Sequence, residues 1–147
     1  MQKLVLSKLT IILVILVSVT MFFSCKETQD NIPTVYVDIE IDLTDPQYYE
    51  LRSIGSYIYI TGGVNGIIVY RLSADEFKAY ERTCPYDPDC GKVYVDDYNF
   101  LAVDTACCQS KFSLMIDGAV TEGPATYPLR NYNAAYNTNL EMLRITN

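Results

Sequence analysis

The chain has 147 residues, of which half are hydrophobic, 18 are acidic and 11 are basic, and it contains no histidine. Its formal net charge of -7 at pH 7 argues against nucleic acid as a partner, because an acidic surface repels phosphate and releases no counterions. The length suffices for one ordinary hydrophobic core and not for two.

The N-terminal residues predict a secretory signal. Lys3 and Lys8 precede an apolar run over residues 9–23, which ends at Ser24 and Cys25. This run is shorter than the roughly 20 apolar residues of a membrane-spanning helix, and its layout is that of a signal peptide over residues 1–24. The small residue before Cys25 resembles a bacterial lipoprotein processing site, although an uncleaved anchor helix stays an alternative.

Lipidation of Cys25 predicts a location at the cell envelope, on the outer membrane or the periplasmic face. Cleavage removes two of the basic residues and none of the acidic ones, so the mature net charge is -9. Such a surface does not hold anionic lipid by charge, and the acyl chains on Cys25 are therefore predicted to make the membrane contact. Residues 25–33 are predicted to form a polar tether, and residues 34–147 one domain.

The domain begins with a predicted strand. Apolar and polar side chains alternate over residues 35–43, the period of a strand with one buried face, and Asp45 with Pro46 ends it. Two further strands, over residues 57–61 and 67–72, are joined by Gly-Gly-Val-Asn-Gly at 62–66, which favours a tight hairpin. A phosphate-binding loop is the weaker alternative, because no helix is predicted to follow.

The remainder predicts short strands separated by Gly, Pro, Asn and Asp. Ser73 and Glu76 have the spacing of a capping box, for which one helical turn is the most we predict. Strand patterns follow over residues 77–83, 92–95, 100–103, 112–114, 129–136 and 140–146. Closely spaced strands without long helices predict an all-β sandwich or barrel. The 13 tyrosines suit pleated faces, with sugar or peptide binding as an alternative use.

Two cysteine-containing segments carry a family resemblance. Residues 77–86 read Phe-Lys-Ala-Tyr-Glu-Arg-Thr-Cys-Pro-Tyr, residues 110–112 read Ser-Lys-Phe, and Gly-Pro-Ala at 123–125 precedes Pro-Leu at 128–129. These segments resemble the two cluster loops and the covering segment of the Rieske iron-sulfur family, from about residue 67 to the C-terminus. The resemblance implies an antiparallel β-sandwich or barrel that presents two loops, which we call loop 1 (residues 83–90) and loop 2 (residues 105–112).

The resemblance also implies where cluster ligands would lie. The family motifs Cys-x-His and Cys-x-x-His hold the two irons of a [2Fe-2S] cluster. Cys84 occupies the first thiolate position and Tyr86 the first imidazole position, while Thr105 and Cys108 occupy the second thiolate and imidazole positions. Tyr86 and Thr105 are poor iron ligands. The resemblance therefore implies a degenerate site, and no metal or cofactor is predicted.

Many family members join the two loops by a disulfide, and Cys90 and Cys107 approximately match those positions. Cys84 and Cys108 are the candidates for a second bridge in an oxidising compartment. Together these features predict a non-catalytic structural or binding module of the envelope, for which an envelope protein is a candidate partner. No enzyme activity is predicted, because no histidine can link a nucleophile to a carboxylate.

Three alternatives stay open at this point. The first is an electron-transfer or metal-binding protein in which Cys84, Cys90, Cys107 and Cys108 ligate zinc or a [2Fe-2S] cluster. The second is a thiol/disulfide enzyme with a vicinal bridge between Cys107 and Cys108, disfavoured because the neighbouring Asp104 raises a thiol pKa. The third is a calcium site formed by Asp87, Asp89, Asp96 and Asp97. For these four residues an acidic surface exposed to solvent is the favoured interpretation.

Overall fold

The computed structural model describes residues 31–147, so the predicted signal peptide, Cys25 and most of the tether lie outside the described residues. These residues form two antiparallel sheets and one short 3-10 helix, which confirms the predicted all-β class. Among residues 31–147, no helix has the length and apolar character to cross a bilayer. The strands are β1 (Asp38–Asp42), β2 (Tyr57–Ile60), β3 (Ile67–Arg71), β4 (Phe77–Glu81), β5 (Tyr94–Asp96), β6 (Leu101–Val103), β7 (Lys111–Ser113), β8 (Ala119–Glu122), β9 (Asn131–Asn137) and β10 (Met142–Thr146).

The larger sheet has six strands in the order β1-β10-β9-β4-β3-β2. Strand β1 pairs with β10, the last strand in the chain, which places Ile41 opposite Leu143 and Ile39 opposite Ile145. The alternation that predicts β1 is the reason for this pairing, because it turns Ile41 into the core while Asp38 and Glu40 face outward. One buried apolar cluster lies on this face of the sheet: Val37, Ile41, Leu43, Leu51, Ile67, Val69, Phe77, Ala79, Tyr132, Leu143 and Ile145.

Strand β3 is buried on both faces. Its first four residues, Ile67 to Tyr70, are all buried, as a continuous apolar run predicts for a strand between two layers. Ile67 and Val69 join the first cluster, whereas Ile68 and Tyr70 join a second one between the two sheets. The second cluster comprises Ile68, Tyr70, Tyr80, Cys84, Val93, Ala102, Phe112, Leu114, Ala125 and Leu129.

The smaller sheet has four strands in the order β5-β6-β7-β8, and it carries both cysteine loops. Loop 1 connects β4 to β5 and is closed by a bridge between Thr83 and Lys92. Loop 2 connects the hydrogen-bonded neighbours β6 and β7, and it is closed by a hydrogen bond of 3.0 Å from Asp104 N–H to the Ser110 carbonyl. Loop 1, which enters the smaller sheet from β4 of the larger one, and loop 2, which lies within the smaller sheet, therefore come side by side.

Several elements differ from the prediction. A 3-10 helix spans Pro46–Arg52, with Asp45 as its N-cap and Pro46 in its first turn, where we predicted only a strand end. Strand β8 was not predicted, and the Ser73–Glu76 segment forms a hairpin turn rather than a helical turn. Ile32 is buried and Arg130 donates to the carbonyls of Ile32 and Pro33, so the packed body begins within the predicted tether.

Candidate functional site

The two loops are covalently joined. Cys90 of loop 1 and Cys107 of loop 2 form a disulfide, with their Cα atoms 6.3 Å apart and a sequence separation of 17. This is the bridge that the resemblance implies. It fixes the tip of the smaller sheet, because both ends of the link lie in segments without regular strand pairing.

A buried carboxylate organises loop 2 from beneath. Asp104 accepts hydrogen bonds of 3.1 Å from the N–H groups of Ala106 and Cys107 and one of 3.3 Å from Cys108 N–H. Burial alone raises the pKa of Asp104, but the bonds from the Cys108 thiol and from these N–H groups outweigh burial and hold the pKa below its usual value. Asp104 therefore turns the chain so that Cys107 and Cys108 point in different directions.

Cys84 and Cys108 meet on the inner side of that turn. Their Sγ atoms lie 3.3 Å apart as unbonded thiols, so the second predicted bridge stays a prediction. Burial raises the pKa of the Cys84 thiol to about 12, the N–H groups of Asp87 and Tyr86 act in the opposite direction, and Cys108 and Asp104 raise the pKa further. This agrees with the expected influence of Asp104 on a nearby thiol.

The other two positions implied by the resemblance do not join this pair. Tyr86 is 56% exposed, and Thr105 is exposed at the start of loop 2. Of the four degenerate cluster positions, only Cys84 and Cys108 are brought together. The residue that completes the group is Asp104, whose carboxylate lies with the two sulfurs so that the three ligand atoms are within 4.8 Å of one another. The sequence signal for Asp104 was its position before the turn-forming Thr-Ala-Cys-Cys segment.

The alternative in which four cysteines ligate one metal centre is wrong for this structure. Cys90 and Cys107 are bonded to each other, which consumes the two thiolates that such a site needs. Their bond also excludes the vicinal Cys107–Cys108 bridge, since a sulfur forms one such link. The structure also does not support the calcium alternative. Within residues 31–147, the carboxylates of Asp87, Asp89, Asp96 and Asp97 do not come together at the distances of a shared metal ion. Asp96 and Asp97 instead accept hydrogen bonds from Tyr98 N–H and the Tyr57 hydroxyl.

The Gly-Pro-Ala segment at 123–125 packs over loop 2. Gly123 has a φ of +102°, and a Cβ atom at this position would lie 2.5 Å from Ser110 Cα. The Ser110 hydroxyl accepts a hydrogen bond of 3.1 Å from Ala125 N–H and lies 3.1 Å from the Cys108 sulfur. The glycine therefore permits an approach that ties the covering segment to the cysteine pair.

Gly123→Ala is expected to lower the free energy of unfolding by about 2 kcal/mol, through the positive φ angle and the contact with Ser110. Urea unfolding followed by tyrosine fluorescence measures this change. Gly55→Ala is the matched control, because Gly55 also has a positive φ of 84° but a Cβ there meets nothing within 4 Å. A loss at Gly123 no larger than that at Gly55 contradicts the packing argument.

The glycine-rich hairpin at 62–66 does not form an anion site for a ligand. Its N–H groups at Val64 and Asn65 donate to the carboxylate of Glu81 over 2.7 and 2.9 Å. Glu81 is buried and occupies the cradle that a phosphate needs. The phosphate alternative is therefore wrong, and the hairpin prediction is confirmed by the antiparallel pairing of β2 with β3.

An aromatic surface extends from β2 to the turn between β5 and β6. The Arg82 guanidinium lies 4.0 Å from the ring centre of Tyr59 and 4.9 Å from that of Tyr94, a cation-π arrangement between two exposed rings. Beside it runs an open groove of about 920 Å³. The groove is lined by the 3-10 helix, by β2 and by Asp97 and Phe100, and no basic side chain lines it.

No protein-family profile matches the chain, and no curated protein matches it. Fold and site together define an all-β domain whose two-loop tip is closed by a disulfide and underlain by a group of two thiols and one carboxylate, of which Cys84 and Asp104 are buried and Cys108 is partly exposed.

Proposed function

We propose that the chain is a non-catalytic structural or binding module of the bacterial cell envelope, with a Rieske-like fold that has lost its cluster. The observation that carries this proposal is the placement of the four implied ligand positions: Cys84 and Cys108 come together, whereas Tyr86 and Thr105 are exposed and do not join them. The Cys90–Cys107 disulfide holds the two loops together without any contribution from a cluster. Lipid on Cys25 is the proposed membrane attachment.

The lack of histidine supports a non-catalytic role. Acid-base and nucleophilic catalysis most often use an imidazole to carry the proton. Around the loop tip, the buried acids are already hydrogen-bonded to the protein itself: Asp104 to loop 2, and Glu81 to the glycine-rich hairpin. Both acids therefore act as hydrogen-bond acceptors within the fold.

The open groove lined by the 3-10 helix, by β2 and by Asp97 and Phe100 is the proposed contact surface for an envelope protein. Tyr49 and Tyr59 are exposed beside it, and Phe100 is 41% exposed. Phe100 also has a φ of 54°, a conformation that is a strained one for a bulky residue. Strained residues that hold exposed side chains concentrate at functional surfaces, and exposed aromatic groups are enriched at protein interfaces.

The experiment that tests the proposal is iron analysis with visible absorption spectroscopy. The full chain is extracted from membranes with detergent under anaerobic conditions and measured as isolated and after reduction. We expect less than about 0.1 iron per chain and no absorption bands of an iron-sulfur cluster, because Tyr86 and Thr105 do not converge with Cys84 and Cys108. Stoichiometric iron with such bands contradicts the proposal and favours electron transfer.

A further inference from the structure

Two thiols and one carboxylate converge beneath the loop tip, separately from the disulfide. We propose that Cys84, Asp104 and Cys108 bind one thiophilic divalent ion of the zinc class, which joins loop 1 to loop 2 from the inside. This goes beyond the proposed function, because a module without an iron-sulfur cluster could serve that function whether or not it binds such an ion. The site is mononuclear: it shares Cys84 and Cys108 with the degenerate cluster positions, uses the Asp104 carboxylate in place of Tyr86 and Thr105, and leaves Cys90 and Cys107 in their disulfide.

The distances leave room for an ion after a small expansion. The two sulfurs are 3.3 Å apart, and the Cys108 sulfur lies 3.0 Å from Asp104 Oδ2. Tetrahedral zinc with Zn–S bonds of about 2.3 Å and Zn–O bonds of about 2.0 Å separates two sulfurs by about 3.8 Å and a sulfur from an oxygen by about 3.5 Å. These two ligand pairs must therefore each open by roughly 0.5 Å. All three ligand residues lie in connections between strands and not within a strand.

Binding of M²⁺ forms two metal–sulfur bonds and one metal–oxygen bond. The ligands are two thiolates and one carboxylate, so any thiol proton passes to the solvent as the ion enters. Three negative ligands and one divalent ion leave one negative charge at the site, which limits the cost of keeping this group largely out of water.

The protein already provides hydrogen bonds of the kind that support metal-bound thiolates. The Ser110 hydroxyl lies 3.1 Å from the Cys108 sulfur. The N–H groups of Cys107 and Cys108 orient the Asp104 carboxylate. Outer contacts of this type fix ligand direction and tune metal affinity.

The ligand types select the class of ion. Two sulfurs favour zinc and related thiophilic ions over magnesium and calcium, which prefer oxygen. Cys84 is fully buried, whereas Cys108 is partly exposed, so a fourth ligand such as water reaches the ion from the Cys108 side. The ion and the second predicted disulfide exclude each other, because both use the same two sulfurs.

Cobalt(II) titration followed by zinc displacement tests the site. The full chain is purified in detergent without reductant under anaerobic conditions, which keeps the Cys90–Cys107 bridge. We expect one cobalt per chain with a thiolate-to-cobalt charge-transfer band, stoichiometric displacement by zinc, and a melting temperature raised on the order of 10 °C at zinc 100-fold above its dissociation constant. X-ray absorption at the zinc edge is expected to give two sulfur neighbours.

Three variants separate this site from its competitors. Cys108→Ser is expected to weaken cobalt binding at least about 100-fold and Asp104→Asn at least about 10-fold. Cys90→Ser with Cys107→Ser is the control, in which binding is retained. Absence of a charge-transfer band in the parent chain, a Cys84–Cys108 disulfide found by peptide mass analysis, or loss of binding in the control overturns the proposal. The zinc-edge measurement on the parent chain needs no variant, and four sulfur neighbours or none also overturn it.

Discussion

Replacing both cysteines of the loop bridge, as Cys90→Ser with Cys107→Ser, is expected to lower the free energy of unfolding by about 3 kcal/mol. The bridge closes a segment with a sequence separation of 17 residues, and a link of that span removes much of the freedom of the unfolded chain. For a domain of this size the loss corresponds to a melting temperature lower by on the order of 10 °C. Urea unfolding and thermal melting, both followed by far-ultraviolet circular dichroism, measure it.

Reductant provides the control for this prediction. Treatment of the parent chain with a strong reductant is expected to bring its melting temperature close to that of the double variant, while the variant itself changes little. This comparison separates the bridge from any effect of the serine side chains. Equal stability of the parent chain and the double variant before reduction contradicts the argument that the disulfide closes the loop tip.

The bridge was predictable because the four loop cysteines divide evenly between two segments that a resemblance had already paired. The strands were predictable for a more elementary reason. Alternation over residues 35–43 places one face in the core, and the uninterrupted apolar run at β3 matches a strand covered on both sides. Both signals lie within a short stretch of sequence, so they can be recognised without knowledge of the tertiary structure.

The errors have equally specific causes. Asp45 and Pro46 were interpreted as a strand end, yet an N-cap followed by proline is also how a helix begins. Strand β8 lies between Gly118 and Gly123 with half-exposed or exposed side chains, so it lacks the apolar pattern that marks a buried strand. Strand β8 forms by backbone hydrogen bonds to the edge of β7. Because backbone groups make these bonds, they require no particular pattern of side chains in β8.

Asp104 and Glu81 were missed as organising residues for a different reason. Acidic residues are ordinarily expected at the surface. Glu81 is buried because it accepts from Val64 and Tyr132, which lie far away in sequence, so its role could not be found from the local pattern. The N–H donors to Asp104 are local and left a sequence signal, but its contact with Cys84, 20 residues away, is set by the tertiary structure.

Glu81→Gln is expected to lower the free energy of unfolding by about 3 kcal/mol, since it removes an acceptor from a buried network. The carboxylate accepts five hydrogen bonds of 2.7 to 3.1 Å, from Val64 N–H, Asn65 N–H, Thr83 N–H, the Thr83 hydroxyl and the Tyr132 hydroxyl. An amide turns one acceptor oxygen into a donor, which leaves at least one buried backbone N–H facing an NH2 group instead of an acceptor, since only the hydroxyls can reverse their role. Urea unfolding at pH 7, followed by tyrosine fluorescence, measures the loss.

The pH dependence of the same comparison identifies the charge on Glu81 as the cause. Burial alone raises the pKa of Glu81, but hydrogen bonds from Val64, Asn65, Tyr132 and Thr83 outweigh it and hold the pKa below 4.5. A lowered folded-state pKa stabilises the fold above the unfolded-state value and loses that contribution as pH falls through the folded-state value. The difference in free energy of unfolding between the parent chain and Glu81→Gln is therefore expected to narrow below about pH 4.5.

Glu76→Gln is the matched control for Glu81→Gln. The ion pair of Glu76 with Lys78 lies at the surface, and its loss is expected to lower the free energy of unfolding by about 0.5 kcal/mol or less. Equal losses for the two variants at pH 7 contradict the assignment of Glu81 as the buried acceptor that holds the glycine-rich hairpin.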